Sequence, residues 1–166
     1  MALKKTSETI VISSRINESA ANTFTQEQID LQLNPLDQEV FVVLALDLNP
    51  SAPECITGVG TDVRGSLSTT SRTSVGTIAD SNVLGEASQA IVSDPVAAVG
   101  FTRMSNEAPL AQLDYIGIIA TNDYFLQIRG ANNTAPKAMT ARLWGYRAKA
   151  DAATYAALTQ SEILSS

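Results

Sequence analysis

At 166 residues the chain is long enough for one domain with a core of its own, and it carries a net charge of −6 from 17 acidic and 11 basic residues. There is no histidine, which removes the commonest general base, proton switch and metal ligand together. The low basic count speaks against an extensive nucleic-acid-binding surface, and Cys55, the single cysteine, excludes an intramolecular disulfide.

The opening residues, Met1 to Glu8, hold no apolar run of signal-peptide length, and no run of about 18 apolar residues occurs anywhere, so neither a signal peptide nor a membrane span is expected. Residues 1–9 are expected to form an N-terminal arm. Thr9 to Ser13 is a short β-branched strand, and Gln28 to Asn34 alternates apolar and polar residues as a half-buried strand does. The polar stretch from Ser14 to Gln26 between them reads as an exposed connection. Glu39 to Leu48 is the most apolar segment, and its β-branched content predicts a central strand covered on both faces. Pro50 and Pro53 end it, because proline lacks a backbone donor and restricts the residue before it. A long loop through Gly58 and Gly60 follows, with Cys55 as a small semi-buried residue beside it. Arg64 to Ser74 is rich in hydroxyls and predicts a solvent-facing or intersubunit strand. Asp80 or Ser81 suits the cap of a short helix running through Ala90, Ile91 and Val92, against which Gly85 counts.

In the second half, Val99 to Met104, Leu113 to Ala120 and Tyr124 to Arg129 are predicted strands, with Thr121, Asn122 and Asp123 as a hairpin turn between the last two. Asn132 to Pro136 is a polar loop. From Ala138 to Lys149 a strand places Met139, Ala141 and Leu143 on one parity and Thr140, Arg142, Trp144 and Tyr146 on the other, so both of its faces should meet something. Asp151 to Leu164 reads as a helix with Asp151 as N-cap. Its apolar face, Ala152, Tyr155, Leu158 and Ile163, is thin, so the helix should dock on the sandwich or on a neighbour. With no repeats or linkers the chain is one domain, residues 1–166, ending in a helical tail over 151–166. Its fold class is all-β: a two-sheet antiparallel β-sandwich, jelly-roll-like, of about eight strands with a short C-terminal helix.

The motifs that carry chemistry are weak. Gly58 to Gly65 lacks the Gly-Lys-Ser/Thr ending of a phosphate loop and opens no helix. Asp47, Glu54, Asp62, Asp80, Glu107, Asp114 and Asp123 show neither calcium-loop nor glycosidase spacing and read as solvated acids. The hydroxyls between Ser66 and Ser74 have no histidine, nucleophile elbow or lysine motif to activate them. Asn17 and Asn132 begin glycosylation triplets that carry no weight without a signal peptide. No catalytic residue, metal ligand or cofactor is expected. Arg129, Arg142, Arg147 and Lys149 form the densest basic region, interleaved with Trp144 and Tyr146. In an acidic chain this pattern favours a protein interface over base stacking. The expected interface residues are Arg142, Trp144, Tyr146 and Arg147 on the last strand, with Tyr155, Leu158 and Ile163 on the tail.

On the central run Val40 to Leu48, the segments Leu113 to Arg129 and Met139 to Lys149, and the terminal extensions, the chain resembles the small single-jelly-roll coat and decoration proteins of viruses. The resemblance implies a capsid subunit, a structural protein that self-assembles as a homo-oligomer into a symmetric shell. It also implies a place in the virion, assembled in the host cytoplasm, with copies of itself and other virion proteins as partners. The chain departs from coat proteins with an arginine-rich arm, since Lys4 and Lys5 are the only paired basic residues near either end. A non-catalytic β-sandwich module that binds a ligand or carbohydrate is the alternative.

Overall fold

The computed structural model describes residues 3–103, 105–107 and 113–165. Eleven strands and one α-helix occur among them: β1 (Leu3–Lys5), β2 (Ile10–Asn17), β3 (Thr25–Asp30), β4 (Glu39–Pro50), β5 (Thr61–Ser68), β6 (Val83–Ser93), β7 (Ala98–Arg103), β8 (Ser105–Glu107), β9 (Gly117–Ile119), β10 (Asp123–Ala131), β11 (Ala138–Ala150) and α1 (Ala152–Leu164). One sheet runs β11–β4 at its centre, with β1 and β2 along the outer edge of β11 and β8 and β9 along the outer edge of β4. The other runs β3-β10-β5-β6-β7, and every pairing in both sheets is antiparallel.

The pairings nest: β2 with β11, β3 with β10, β4 with β9, and β5 with β6. Such a chain is one long antiparallel hairpin wrapped over itself, with alternate pairs going to alternate sheets, which is the jelly-roll order. The expected two-sheet sandwich with a C-terminal helix is therefore the observed fold.

The apolar run of β4 explains its central place. Phe41, Val43, Leu46 and Leu48 are buried between the sheets with Ile16, Leu67, Leu126 and Leu143, while Val40 and Val42 are buried on the outer face with Ala120, Ala148 and Ala150. Inward positions shift from odd to even because the register with β11 slips between Trp144 and Gly145, which leaves Leu44 as an extra residue. Gly145 sits where a Cβ would collide with the Phe41 ring, so the two central strands close tightly there. On the outer face, Tyr155 and Leu158 of α1 pack against the second cluster, and the helix docks on its own sandwich. Its N-cap is Asp151, which accepts from Thr154 N at 2.7 Å.

Several expectations need correction. The polar stretch 14–26 is not all connection, because β2 continues to Asn17 and puts Ile16 in the core. Residues 64–74 do not form a solvent-facing strand: β5 is an inner strand of its sheet, and Ser66 and Ser68 are fully buried. The helix expected after Asp80 is β6 instead, where Gly85 and Ala87 are buried along an antiparallel ladder with β5 that is broken only by a register shift at Leu84. Asp80 accepts from Thr77 N at 2.8 Å and so closes a turn before the strand. Residues 121–123 are a crossing between the sheets and not a hairpin turn, since β9 pairs with β4 and β10 with β3 and β5. Of the strand expected over 113–120 only Gly117–Ile119 is in the ladder, and the short β8 precedes it. Cys55 is exposed. The arm is partly bound, with Leu3–Lys5 paired to Lys149 and its neighbours. Met104, expected to end a strand, and the remaining positions of 1–2, 104, 108–112 and 166 lie outside the described residues.

Candidate assembly surface

The interface residues expected from sequence divide among three places. Tyr146, Tyr155 and Leu158 come together, but within the chain, against Val40, Val42 and Ala148. The Lys5 ammonium lies over the Tyr146 ring at 5.1 Å from its centroid. Arg147 turns toward the sandwich end, donating to the Leu31 carbonyl at 2.9 Å and pairing with Glu39 at 3.7 Å, and so ties one sheet to the other. Arg142 and Trp144 face outward together, the guanidinium 5.7 Å from the indole centroid, and Trp144 stands opposite the exposed Val11 of β2. The inward stripe of α1 is Tyr155, Leu158 and Glu162, whereas Ile163 is exposed. In the basic region, Arg129 lies on the other sheet, and Lys149 lies 4.0 Å from Asp37.

The outer face of the β3-β10-β5-β6-β7 sheet is covered over one half and bare over the other. In the covered half a row of polar side chains crosses three strands. The Ser66 hydroxyl donates to Gln127 Oε1 at 2.8 Å, and Gln127 Nε2 donates to Ser68 Oγ at 2.7 Å and to Gln26 Oε1 at 3.1 Å. The loop over 69–82 roofs them, with Gly76 N donating to Ser66 Oγ at 2.9 Å and Arg72 N to Gln26 Oε1 at 2.7 Å. Arg72 in turn holds Asp80 at 3.0 Å and Asn82 at 2.7 Å. The Thr77 N–H and the nearby Arg72 guanidinium keep the Asp80 carboxyl below its ordinary range. Hydroxyls suggesting a wet strand are thus a satisfied, buried seam.

The bare half is the β6–β7 hairpin. Register puts Val92 opposite Val99 and Ala90 opposite Phe101, all four on one face. Val92 is 59% exposed, Val99 56%, Phe101 59%, and Val96 at the tip 94%. The tip is a hydrogen-bonded turn: Asp94 Oδ1 accepts from Ala97 N and Val96 N, both at 2.7 Å, and these two bonds hold the Asp94 carboxyl below its usual range. All six residues of β7 are exposed and its outer edge has no partner strand among the described residues. The opposite edge of the same sheet, β3, carries exposed Glu27 and Asp30, which blunt it against pairing. Only Arg103, at its end, gives β7 a charge.

Sequence reasoning found this strand and missed its exposure, because alternation looks the same whether the apolar parity meets a core or a partner. The Asp94-Pro95 pair between two apolar runs is the hairpin signal that was available. Among the described residues no group of three or more acidic or cysteine side chains is arranged to hold a metal ion, and no helix is long and apolar enough to cross a membrane.

No family model and no curated protein matches the chain. Among solved structures it is similar to a chain of Desmodium yellow mottle tymovirus, at 7% identity and a TM-score of 0.30, over 86% of this chain and 87% of that one.

Proposed function

We propose that the chain is a non-catalytic structural subunit of a viral particle, a coat protein that assembles with copies of itself. The observation that carries this reading is the β6–β7 hairpin, which presents Val92, Val96, Val99 and Phe101 on a hydrogen-bonded turn beside a strand edge that has no partner among the described residues. Burying a Val or Phe side chain fully is worth roughly 1.5–3 kcal/mol, so covering four that are half to almost fully exposed offers on the order of 4–8 kcal/mol per subunit contact. An edge of this kind on a lone monomer invites uncontrolled pairing, whereas in a closed shell it is a designed contact. Arg142, Trp144 and Val11 on the opposite sheet supply a second, smaller contact of the arginine-aromatic kind common at interfaces. The jelly-roll order supports the reading by leaving the β6–β7 half of one outer face bare and, among the described residues, the β7 edge without a partner strand.

Light scattering of the purified native protein, with negative-stain imaging of the same fraction, tests this. The expected result is regular particles or closed rings. A strict monomer at all concentrations contradicts it.

A further inference from the structure

Adjoining the apolar hairpin, on the outer face of the same sheet, is an open cleft of about 570 Å³ lined by Arg64, Arg103, Arg129, Asp62, Glu86 and Ser88 among others. Register fixes how the arginines stand. Arg129 of β10 is directly opposite Arg64 of β5, Arg64 is opposite Ser88 of β6, and Ser88 is opposite Arg103 of β7. Directly paired residues point to the same side, so three guanidiniums and one hydroxyl form a single transverse row across four strands.

Within the row Arg129 and Arg64 are like charges directly opposite each other, an arrangement that costs a sheet stability when nothing lies between them. A chain of net charge −6 with 11 basic residues nevertheless commits three of them to it. Two are held by carboxylates at the floor: Asp62 accepts from Arg64 Nε at 3.2 Å and Nη2 at 3.0 Å, and Glu86 pairs with Arg103. The carboxylate side chains are 21% and 17% exposed against 66% and 53% for their arginines, so each ion pair steadies a largely exposed guanidinium that lines the cleft. Arg129 is exposed and its side chain makes no ion pair or hydrogen bond among the described residues.

We propose that this cleft is an oxyanion-binding site that takes a phosphate or sulfate ester group. Strands lie about 4.8 Å apart, so the Arg129 and Arg64 forks reach one tetrahedral group together, with the Ser88 hydroxyl as a neutral donor on its other side. A carboxylate has two oxygens and is satisfied by one fork, whereas three ester oxygens use two forks and the hydroxyl. A long nucleic-acid strand needs a basic track, and here Asp62 and Glu86 cancel two of the three charges, so the fitting ligand is compact. The site does not depend on self-assembly.

Calorimetric titration of the native protein with inorganic pyrophosphate, with a disulfated disaccharide and with acetate tests the proposal, alongside the variants Arg129→Gln and Lys4→Gln, which remove the same charge at the cleft and far from it. Saturable binding of pyrophosphate or of the disaccharide is expected, weakened at least about ten-fold by Arg129→Gln and less than about two-fold by Lys4→Gln, with no saturation by acetate. Tighter binding of pyrophosphate assigns a phosphate ester, and tighter binding of the disaccharide a sulfate ester; either supports the site. No saturable binding of either probe, or equal loss in the two variants, overturns it. Because particle mass is read separately, failure here is distinguishable from failure to assemble.

Discussion

The Glu162 carboxylate on α1 accepts the Thr121 hydroxyl at 2.8 Å through one oxygen, and through the other the Thr121 N–H at 3.1 Å and the Ala120 N–H at 2.8 Å. The helix has little apolar surface to bury beyond Tyr155 and Leu158, so this acid, itself only 7% exposed, adds a polar anchor to the crossing between the sheets. Glu162→Ala strands two backbone donors, each worth roughly 1–3 kcal/mol when left buried and unpaired. Urea unfolding is expected to show a loss of about 2–3 kcal/mol; a change within about 0.5 kcal/mol means that α1 is held by something else.

Glu162 also sets a pH signature. Burial pushes its pKa up, against the opposing hydrogen bonds from Thr121 and Ala120. A carboxyl with a folded pKa above its unfolded value contributes stability that is full below the ordinary glutamate range and is lost as pH rises through the folded pKa. The wild type is therefore expected to gain on Glu162→Gln as pH falls from 7 toward 4, measured as the difference between their urea midpoints. A difference that stays flat or moves the other way contradicts the assignment.

Glu54 behaves in the opposite sense. The Thr134 hydroxyl and N–H hold its pKa at about 2, aided by Lys137 and the Ala135 N–H. Its contribution is present above the ordinary glutamate value and is lost as pH falls toward 2. Melting temperature against pH should fall less steeply between 4.5 and 2 for Glu54→Gln than for wild type. An acid limb of unchanged slope shows that this clamp on the 132–137 loop does not matter to stability.

The buried polar row gives a third test. Gln127→Leu keeps the volume but leaves the Ser66 and Ser68 hydroxyls and Gln26 short of partners under the loop, a loss expected to cost about 2–3 kcal/mol. If chemical denaturation shows the variant to be as stable as wild type, water has replaced the amide and the row is not sealed.

That row also marks how far the sequence could be read. The run from Val40 to Leu48 and the alternation from Ile29 to Leu33 name core positions correctly, and Leu31 and Leu33 stay buried even beyond the end of β3. Ser66 and Ser68 mislead because hydroxyls report polarity and not burial; only the pairing with Gln127, 59 to 61 residues away, tells the two apart. Thr121, Asn122 and Asp123 have turn chemistry, and a crossing between sheets uses the same chemistry as a hairpin. The helix was legible from Asp151 onward, yet its anchoring residue is Glu162, whose partners lie 41 and 42 residues away. For the site, Arg142 and Trp144 were recognisable as an outward pair. The apolar hairpin and the arginine row depend on which strand lies beside which, and that register is a property of the fold.

The most direct test of self-assembly is sedimentation of the wild type against the double variant Val99→Ser with Phe101→Ser. Both side chains are more than half exposed, so the fold should keep its melting temperature within a few degrees while the contact is lost. The account predicts large, defined particles for the wild type and a folded monomer for the variant at the same concentration. A wild type that is already monomeric, or a variant that assembles as well as the wild type, contradicts it.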